Sequence, residues 1–284
     1  MTPDPRKAAR DLLAFYLEAG VDTPLGEDAI DRFADPSTAG PAATAETGGT
    51  TSRAPLDRTV RPSHAAAGIM RAADAGAAPA APDAATIEAR EAARSAATLE
   101  DLRAILERFD GCALKTTATQ LVFADGNPQA RLMFVGEAPG RDEDIEGLPF
   151  VGRSGKLLNR MIAAIGLDRT KVYIANIVPW RPPGNRTPTP QESQICLPFI
   201  LRQIELANPD ILVSLGGPSA QTLLGIKDGI RKARGRWHSF DTGTRKIRAI
   251  ATFHPAYLLR SPLEKRLAWR DFLAIKHALA TDPA

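Results

Sequence analysis

Four short β-branched apolar runs, each followed by a turn or a helical pattern, constrain this chain more than any other feature. RLMFVGE (131–137), KVYIANIV (171–178), DILVSLG (210–216) and IRAIATFH (247–254) have the length and residue types of strands. SGKLLNRMIAAIG (154–166), TPQESQICLPFILRQIELAN (189–208) and PSAQTLLG (218–225) lie between them with helical character. Strands joined through helices run parallel, because an antiparallel partner needs only a tight turn. The pattern therefore predicts an α/β fold, a three-layer α/β/α sandwich with a mostly parallel central sheet. RGRWHSFDTGTRKIRAIATFH adds a hairpin with Asp241-Thr242-Gly243 at its turn. TLEDLRAILERF (98–109) reads as an amphipathic helix with Thr98 as N-cap and Glu100 and Asp101 in its first turn, and LEKRLAWRDFLAIKHAL (263–279) as the last helix.

The rest of the chain differs in composition. Residues 1–35 form an expected N-terminal helical segment, with Ala8, Leu12, Phe15, Tyr16 and Ala19 near one face and Gly20 as its stop. Residues 36–95 are rich in Ala, Pro, Thr and Gly and are expected to be a disordered linker, interrupted by a short helix around His64–Ala73 with His64 itself solvated. Residues 96–284 are then the folded domain. A short amphipathic helix on a tether is a candidate site for a protein partner.

No run of 18 apolar residues is present, so no membrane span is expected, and the N-terminus lacks a secretory signal. Two cysteines are too few for a disulfide framework. A soluble, cytoplasmic, monomeric protein is the expectation. Net charge is +3, but Arg231–Lys276 holds 12 Lys/Arg against 3 Asp/Glu, a local excess of 12 − 3 = +9. Such a stretch is either a nucleic-acid face or a solvated basic surface.

Ligands of parallel sheets bind beyond the carboxyl ends of the strands, and here Glu137, Asn176, Gly216-Gly217 and His254 occupy those ends. Glu137 sits in Gly136-Glu137-Ala138-Pro139-Gly140, where the glycines permit close backbone approach and proline stiffens the turn. It is either a surface carboxylate or one held to orient water or stabilise a cation. Asn176 offers a donor and an acceptor that match a pyrimidine edge, unless other protein groups consume both. His254, stopped by Pro255, is either structural or a donor to an oxygen that gains charge. Leu258, Leu259 and Arg260 beside it suit a strained duplex, as apolar wedges and a cation. Arg181 and Arg186 in RPPGNRTPTP are available to anions. GRSGK is not a phosphate loop, since Phe150 and Leu157 stand where glycine and Ser or Thr are required.

Together these residues resemble a uracil-DNA glycosylase of the family 4 type. GEAPGRDEDIEGLPFVGRSGKLL, VYIANIVPWRPPGNRTPTP, ILVSLGGPSA and FHPAYLLR carry the resemblance, which covers about 110–277. It implies an enzyme that flips uracil from single- or double-stranded DNA and hydrolyses its N-glycosidic bond. It implies that Phe150 stacks on the base, Asn176 reads its edge, and Gly136, Ala138 and Gly140 line the base site. Glu137 would position water or stabilise the sugar cation, and His254 would bond the uracil oxygen. Leu258 or Leu259 would fill the gap in the stack, and Arg260 would hold phosphate.

The family's four-iron, four-sulfur cluster needs four cysteines. Only Cys112 and Cys196 match, with Phe109 and Trp180 at the other two positions. No cofactor is therefore expected, and the two cysteines are expected to lie close together as buried free thiols. Some relatives trap their product covalently through a histidine-bearing insertion after the second strand. None occurs here, so turnover is the expectation. A non-catalytic or trapping DNA-binding module and a nucleotide-binding α/β protein are the competing readings.

Overall fold

The sheet forms where consecutive strand residues are apolar without polar alternation, which requires both of its faces to be covered. The computed structural model describes residues 82–281. Its strands are β1 (Asp125–Gly126), β2 (Leu132–Gly136), β3 (Tyr173–Asn176), β4 (Ile211–Leu215), β5 (Trp237–Asp241) and β6 (Lys246–Thr252), in the order β1-β3-β2-β4-β6-β5. The inner four are parallel, while β1 and β5 pair antiparallel at the two edges.

The helices are α1 (Pro82–Ser95), α2 (Leu99–Arg108), α3 (Leu114–Thr117), α4 (Arg141–Glu146) and α5 (Arg153–Ala164), then α6 (Pro190–Ala207), α7 (Gly217–Leu224), α8 (Ile230–Ala233), α9 (Pro255–Arg260) and α10 (Lys265–Thr281). Leu132 and Phe134 of β2 pack with Leu158 and Ile162 of α5 and with Phe272 and Ile275 of α10. The intervening Met133 and Val135 pack with Leu102 and Leu106 of α2 and with Phe199 and Ile204 of α6. The period of two along β2 thus sends alternate side chains into two separate cores, giving the three layers. Phe134 stacks on Phe272 with ring centroids 5.8 Å apart, and each such fully buried ring contributes roughly 1.5–3 kcal/mol.

Local signals agree with these elements. The Thr98 hydroxyl accepts from the Asp101 N–H, and the Asp101 carboxylate accepts from the Thr98 N–H, a reciprocal cap on α2. Gly243 turns the β5–β6 hairpin at φ 95, with its N–H donating to Asp241 Oδ1. Among the described residues, no helix is long and apolar enough to cross a membrane.

The expected boundary of the linker is corrected. Residues 82–95, read as linker, form α1. Few large apolar residues occur there, but Ala85, Ala89 and Ala93 recur every four residues and are buried in the core beside α6. Small side chains bring the helix backbones close, and Arg202 of α6 donates twice to the Ala96 carbonyl. The N-terminal helix over 5–19 and the short helix over 64–73 lie outside the described residues.

Candidate active site

Four strand ends converge on one cleft of about 440 Å³. Gly136 ends β2 opposite Asn176, which ends β3 in parallel register. Gly216 follows β4 and caps α7 at φ 93, a left-handed value that suits glycine. His254 follows β6 and caps α9. Glu137, Ala138, Gly140, Phe150, Asn176 and His254 all line this cleft. Gly136, expected to line the base site, is not among the lining residues but abuts two of them. A Cβ there would come within 2.4 Å of Asn176 Oδ1 and 2.7 Å of Phe150 Cζ. Only glycine leaves room for the amide and the ring together.

Phe150 stands in a backbone conformation that aromatic residues rarely adopt, at φ 56. Such a residue costs on the order of 1–3 kcal/mol, which its surroundings must offset. Three groups hold it. Arg169 donates to the Pro149 and Phe150 carbonyls at 2.6 and 3.0 Å. Gly155 of α5 packs so closely that a Cβ would lie 1.7 Å from the Phe150 oxygen. Glu143 of α4 accepts from the N–H groups of Gly140, Val151 and Gly152, each at 3.1 Å, and so ties the β2 turn to the segment after Phe150. The Phe150 ring then lies 5.4 Å from the His254 ring, tilted by 33°.

The polar groups of the cleft are poised rather than satisfied. Glu137 Oε1 and Asn176 Oδ1 are buried without a hydrogen-bond partner. Native proteins seldom leave such atoms unpaired, because each costs about 1–3 kcal/mol. Burial raises the Glu137 carboxyl above its usual range. His254 Nδ1 accepts from the Ala256 N–H at 3.1 Å, so the proton of the neutral ring resides on Nε2. Burial, and secondarily the Arg260 charge, pushes the His254 pKa down to about 4. At neutral pH the cleft therefore presents an uncharged imidazole with one N–H to give.

The other expected site residues divide. Arg260 lines the cleft and is exposed. Leu259 is 37% exposed on α9, but Leu258 is fully buried against Phe253 and Ala268. This corrects the pairing of the two leucines: Leu258 is a core residue and cannot enter a duplex while α9 stays folded. Arg186 also lines the cleft, and both it and Arg181 have a carboxylate neighbour. Both terminal nitrogens of Arg186 donate to the Glu192 carboxylate, and Arg181 donates to Asn185 Oδ1 with Asp144 nearby.

Glu143 and Arg169 were not singled out from the sequence. Glu143 had a signal, since a carboxylate three residues after the N-cap Gly140 can reach back to accept from its N–H, half of the reciprocal cap. Arg169 had none, because its partners lie 10, 19, 20 and 44 residues away.

Cys112 and Cys196 are free, buried and 3.9 Å apart between sulfurs. Phe109 and Trp180 are buried in the same apolar cluster, and Phe109 meets Phe199 edge-on at 4.9 Å. Two thiols and two apolar side chains do not supply the four ligands of a four-iron cluster.

A family model described as the uracil DNA glycosylase superfamily matches residues 123–273. The type-4 uracil-DNA glycosylase of Archaeoglobus fulgidus is 40% identical over 182 residues, covering 63% of this chain and 92% of its own. The type-4 enzyme of Thermotoga maritima is 44% identical over 169 residues, 58% of this chain and 86% of its own. That of Saccharolobus solfataricus is 42% identical over 177 residues, 61% of this chain and 82% of its own. With a family model matched over more than half of its length and relatives covered nearly whole, this chain belongs to the uracil-DNA glycosylase superfamily.

Proposed function

We propose that the chain is a DNA repair glycosylase that flips uracil out of DNA, hydrolyses its N-glycosidic bond and leaves an abasic site. The observation that carries this is the pair of buried, unpartnered oxygens, Glu137 Oε1 and Asn176 Oδ1, in one cleft with Phe150 and a neutral His254. The attacking water or the sugar meets Glu137, and a flipped uracil supplies partners for Asn176 and Phe150. Its N3–H gives Asn176 Oδ1 a donor, and its ring gives Phe150 a stacking partner. As the C1′–N1 bond breaks, its electrons pass to the base and the sugar gains positive charge. His254 Nε2–H donates to the base oxygen that becomes negative. Glu137 stabilises the sugar cation or takes a proton from the attacking water. Placing a donor and a carboxylate at opposite developing charges favours the transition state over the bound substrate.

In this reading the chemistry proceeds through side chains alone, without an iron–sulfur cluster, which the two-cysteine donor set supports. Arg260 holds a phosphate and Leu259 occupies the gap in the stack, on single- or double-stranded DNA. The protein works as a cytoplasmic monomer and turns over. The test is uracil release from a labelled oligonucleotide by the wild type and by Glu137→Ala and His254→Ala. Each variant is expected to lose about 10²–10³-fold in rate. A wild type that binds uracil-containing DNA without releasing uracil, or that stays covalently attached to it, would overturn the reading.

A further inference from the structure

Arg169 lies on the short 3-10 turn 169–171 before β3 and does not line the cleft. Its two terminal nitrogens nevertheless both reach the segment that does. Nη2 donates to the Pro149 carbonyl at 2.6 Å, and Nη1 to the Phe150 carbonyl at 3.0 Å and to Asn159 Oδ1 at 2.9 Å. Nε donates to Asp125 Oδ2 at 2.6 Å, and Asp125 sits on the edge strand β1 beside β3. A planar guanidinium can span two successive carbonyls while a carboxylate fixes its third side; a lysine ammonium cannot. The peptide so gripped is the one at positive φ, pressed from behind by Gly155.

We propose that the Asp125–Arg169 pair is a positioning device for base recognition, holding the Phe150 backbone in its strained conformation so that the ring offers its face to the base. The proposal rests on reading the cleft as a uracil site. Without the clamp, Phe150 relaxes toward an ordinary conformation and the ring turns away from its place beside His254 and Asn176. The base is then bound more weakly, while Glu137 and His254, on other segments, remain in place. Loss of the clamp therefore acts on binding common to ground and transition states, which raises KM and spares kcat.

The structure contains a matched control. Arg245 grips the Asn208 and Pro209 carbonyls and Asp210 at the opposite, amino-terminal end of β4, far along the sheet from the cleft. Arg169→Lys, Asp125→Asn and Arg245→Lys are compared with the wild type for thermal stability and for kcat and KM on a uracil oligonucleotide. Each is also tested for binding to an oligonucleotide carrying 2′-fluoro-deoxyuridine, which resists hydrolysis, against its thymidine counterpart. Arg169→Lys is expected to raise KM roughly tenfold with kcat nearly unchanged, and to lower the uracil preference by the same factor, within the worth of a stacked base. Asp125→Asn gives a smaller change in the same direction and stands in for Arg169→Lys should that variant not fold. Arg245→Lys lowers stability without moving KM. In a Phe150→Ala background, Arg169→Lys adds nothing further, because the residue it positions is gone.

A folded Arg169→Lys and Asp125→Asn with wild-type KM and preference, or effects that simply add to Phe150→Ala, would overturn the clamp. A wild type that prefers the 2′-fluoro strand but releases no uracil from deoxyuridine overturns the glycosylase reading and leaves the preference to judge the clamp. A wild type with neither property overturns both.

Discussion

Replacing Glu137 by glutamine separates what the site does from what it costs. The substitution keeps size and shape and removes the charge. Glu137 Oε1 is buried without a partner, so the ionised carboxylate gives up solvation that no protein donor restores. Relief of that burden is expected to stabilise the folded chain by about 1–3 kcal/mol at pH 7.5, or on the order of 2–10 °C in Tm for a domain of this size. The pH dependence fixes the origin of the gain. Burial raises the folded-state pKa above the ordinary 4.5, so below that ordinary value both states of the wild type are protonated and no charge penalty exists. The penalty grows as pH rises from there through the folded pKa, where the wild type loses stability relative to the variant. Glu137→Gln should therefore gain most at neutral and alkaline pH and nothing near pH 4. In the same preparation uracil release should fall about 10²–10³-fold. Urea unfolding at pH 4, 6 and 7.5, with a release assay at pH 7.5, reads both. A variant that is inactive yet no more stable than the wild type at pH 7.5 would refute the claim that the carboxylate is held at a cost for its chemistry.

Other substitutions test the neighbours. His254→Gln should alter acid sensitivity, because a folded pKa near 4 against an ordinary 6.5 gives the wild type stability that is complete above pH 6.5 and is lost as pH falls from there toward 4. That loss is at most on the order of 3 kcal/mol, and parallel unfolding curves for variant and wild type would contradict it. Gly136→Ala places a Cβ 2.4 Å from Asn176 Oδ1 and 2.7 Å from Phe150 Cζ, so it should cost about 1–3 kcal/mol of stability and raise KM for uracil DNA; an unchanged KM would mean that the amide and ring yield freely. Leu258→Ala should lose about 2–5 kcal/mol as a core truncation. Leu259→Ala should stay within roughly 0.5 kcal/mol yet weaken duplex more than single-strand processing, and equal Tm losses in the two would argue against the orientation of α9.

The four parallel strands and their order of appearance were readable because each carries a largely apolar run, and a run buried on two faces carries no competing periodicity; β1, only Asp125–Gly126, has no such run and went unread. The same rule hid α1. Its burial comes from Ala85, Ala89 and Ala93, whose small areas make the segment look like linker by composition, while their spacing of four is what packs it on α6. The turn around Glu137 was readable for a local reason: glycine, proline and carboxylate stand within five residues and constrain one another directly. Phe150 was readable as an aromatic near the site, but its positive φ was not, since beyond the close approach of Gly155 the groups that hold it are distant in sequence.

What enforces it is Arg169 across 19 and 20 residues, Glu143 across 8 and 9 and Asp125 at one remove. Such contacts exist only after β1, β3 and α5 have assembled, so a residue's role in them cannot be deduced from its own surroundings in the chain. The two leucines make the point at the smallest scale. Leu258 and Leu259 are adjacent and chemically identical, and either would serve as a wedge by composition. On a helix, successive side chains differ by about 100° in direction, so one of an adjacent pair faces inward when the other does not. The phase of α9 is set by its start at Pro255, directly after the β6 segment that delivers His254, and by the Phe253–Ala268 contact that receives Leu258. The strand end that presents the imidazole to the cleft thereby also decides which leucine is left exposed.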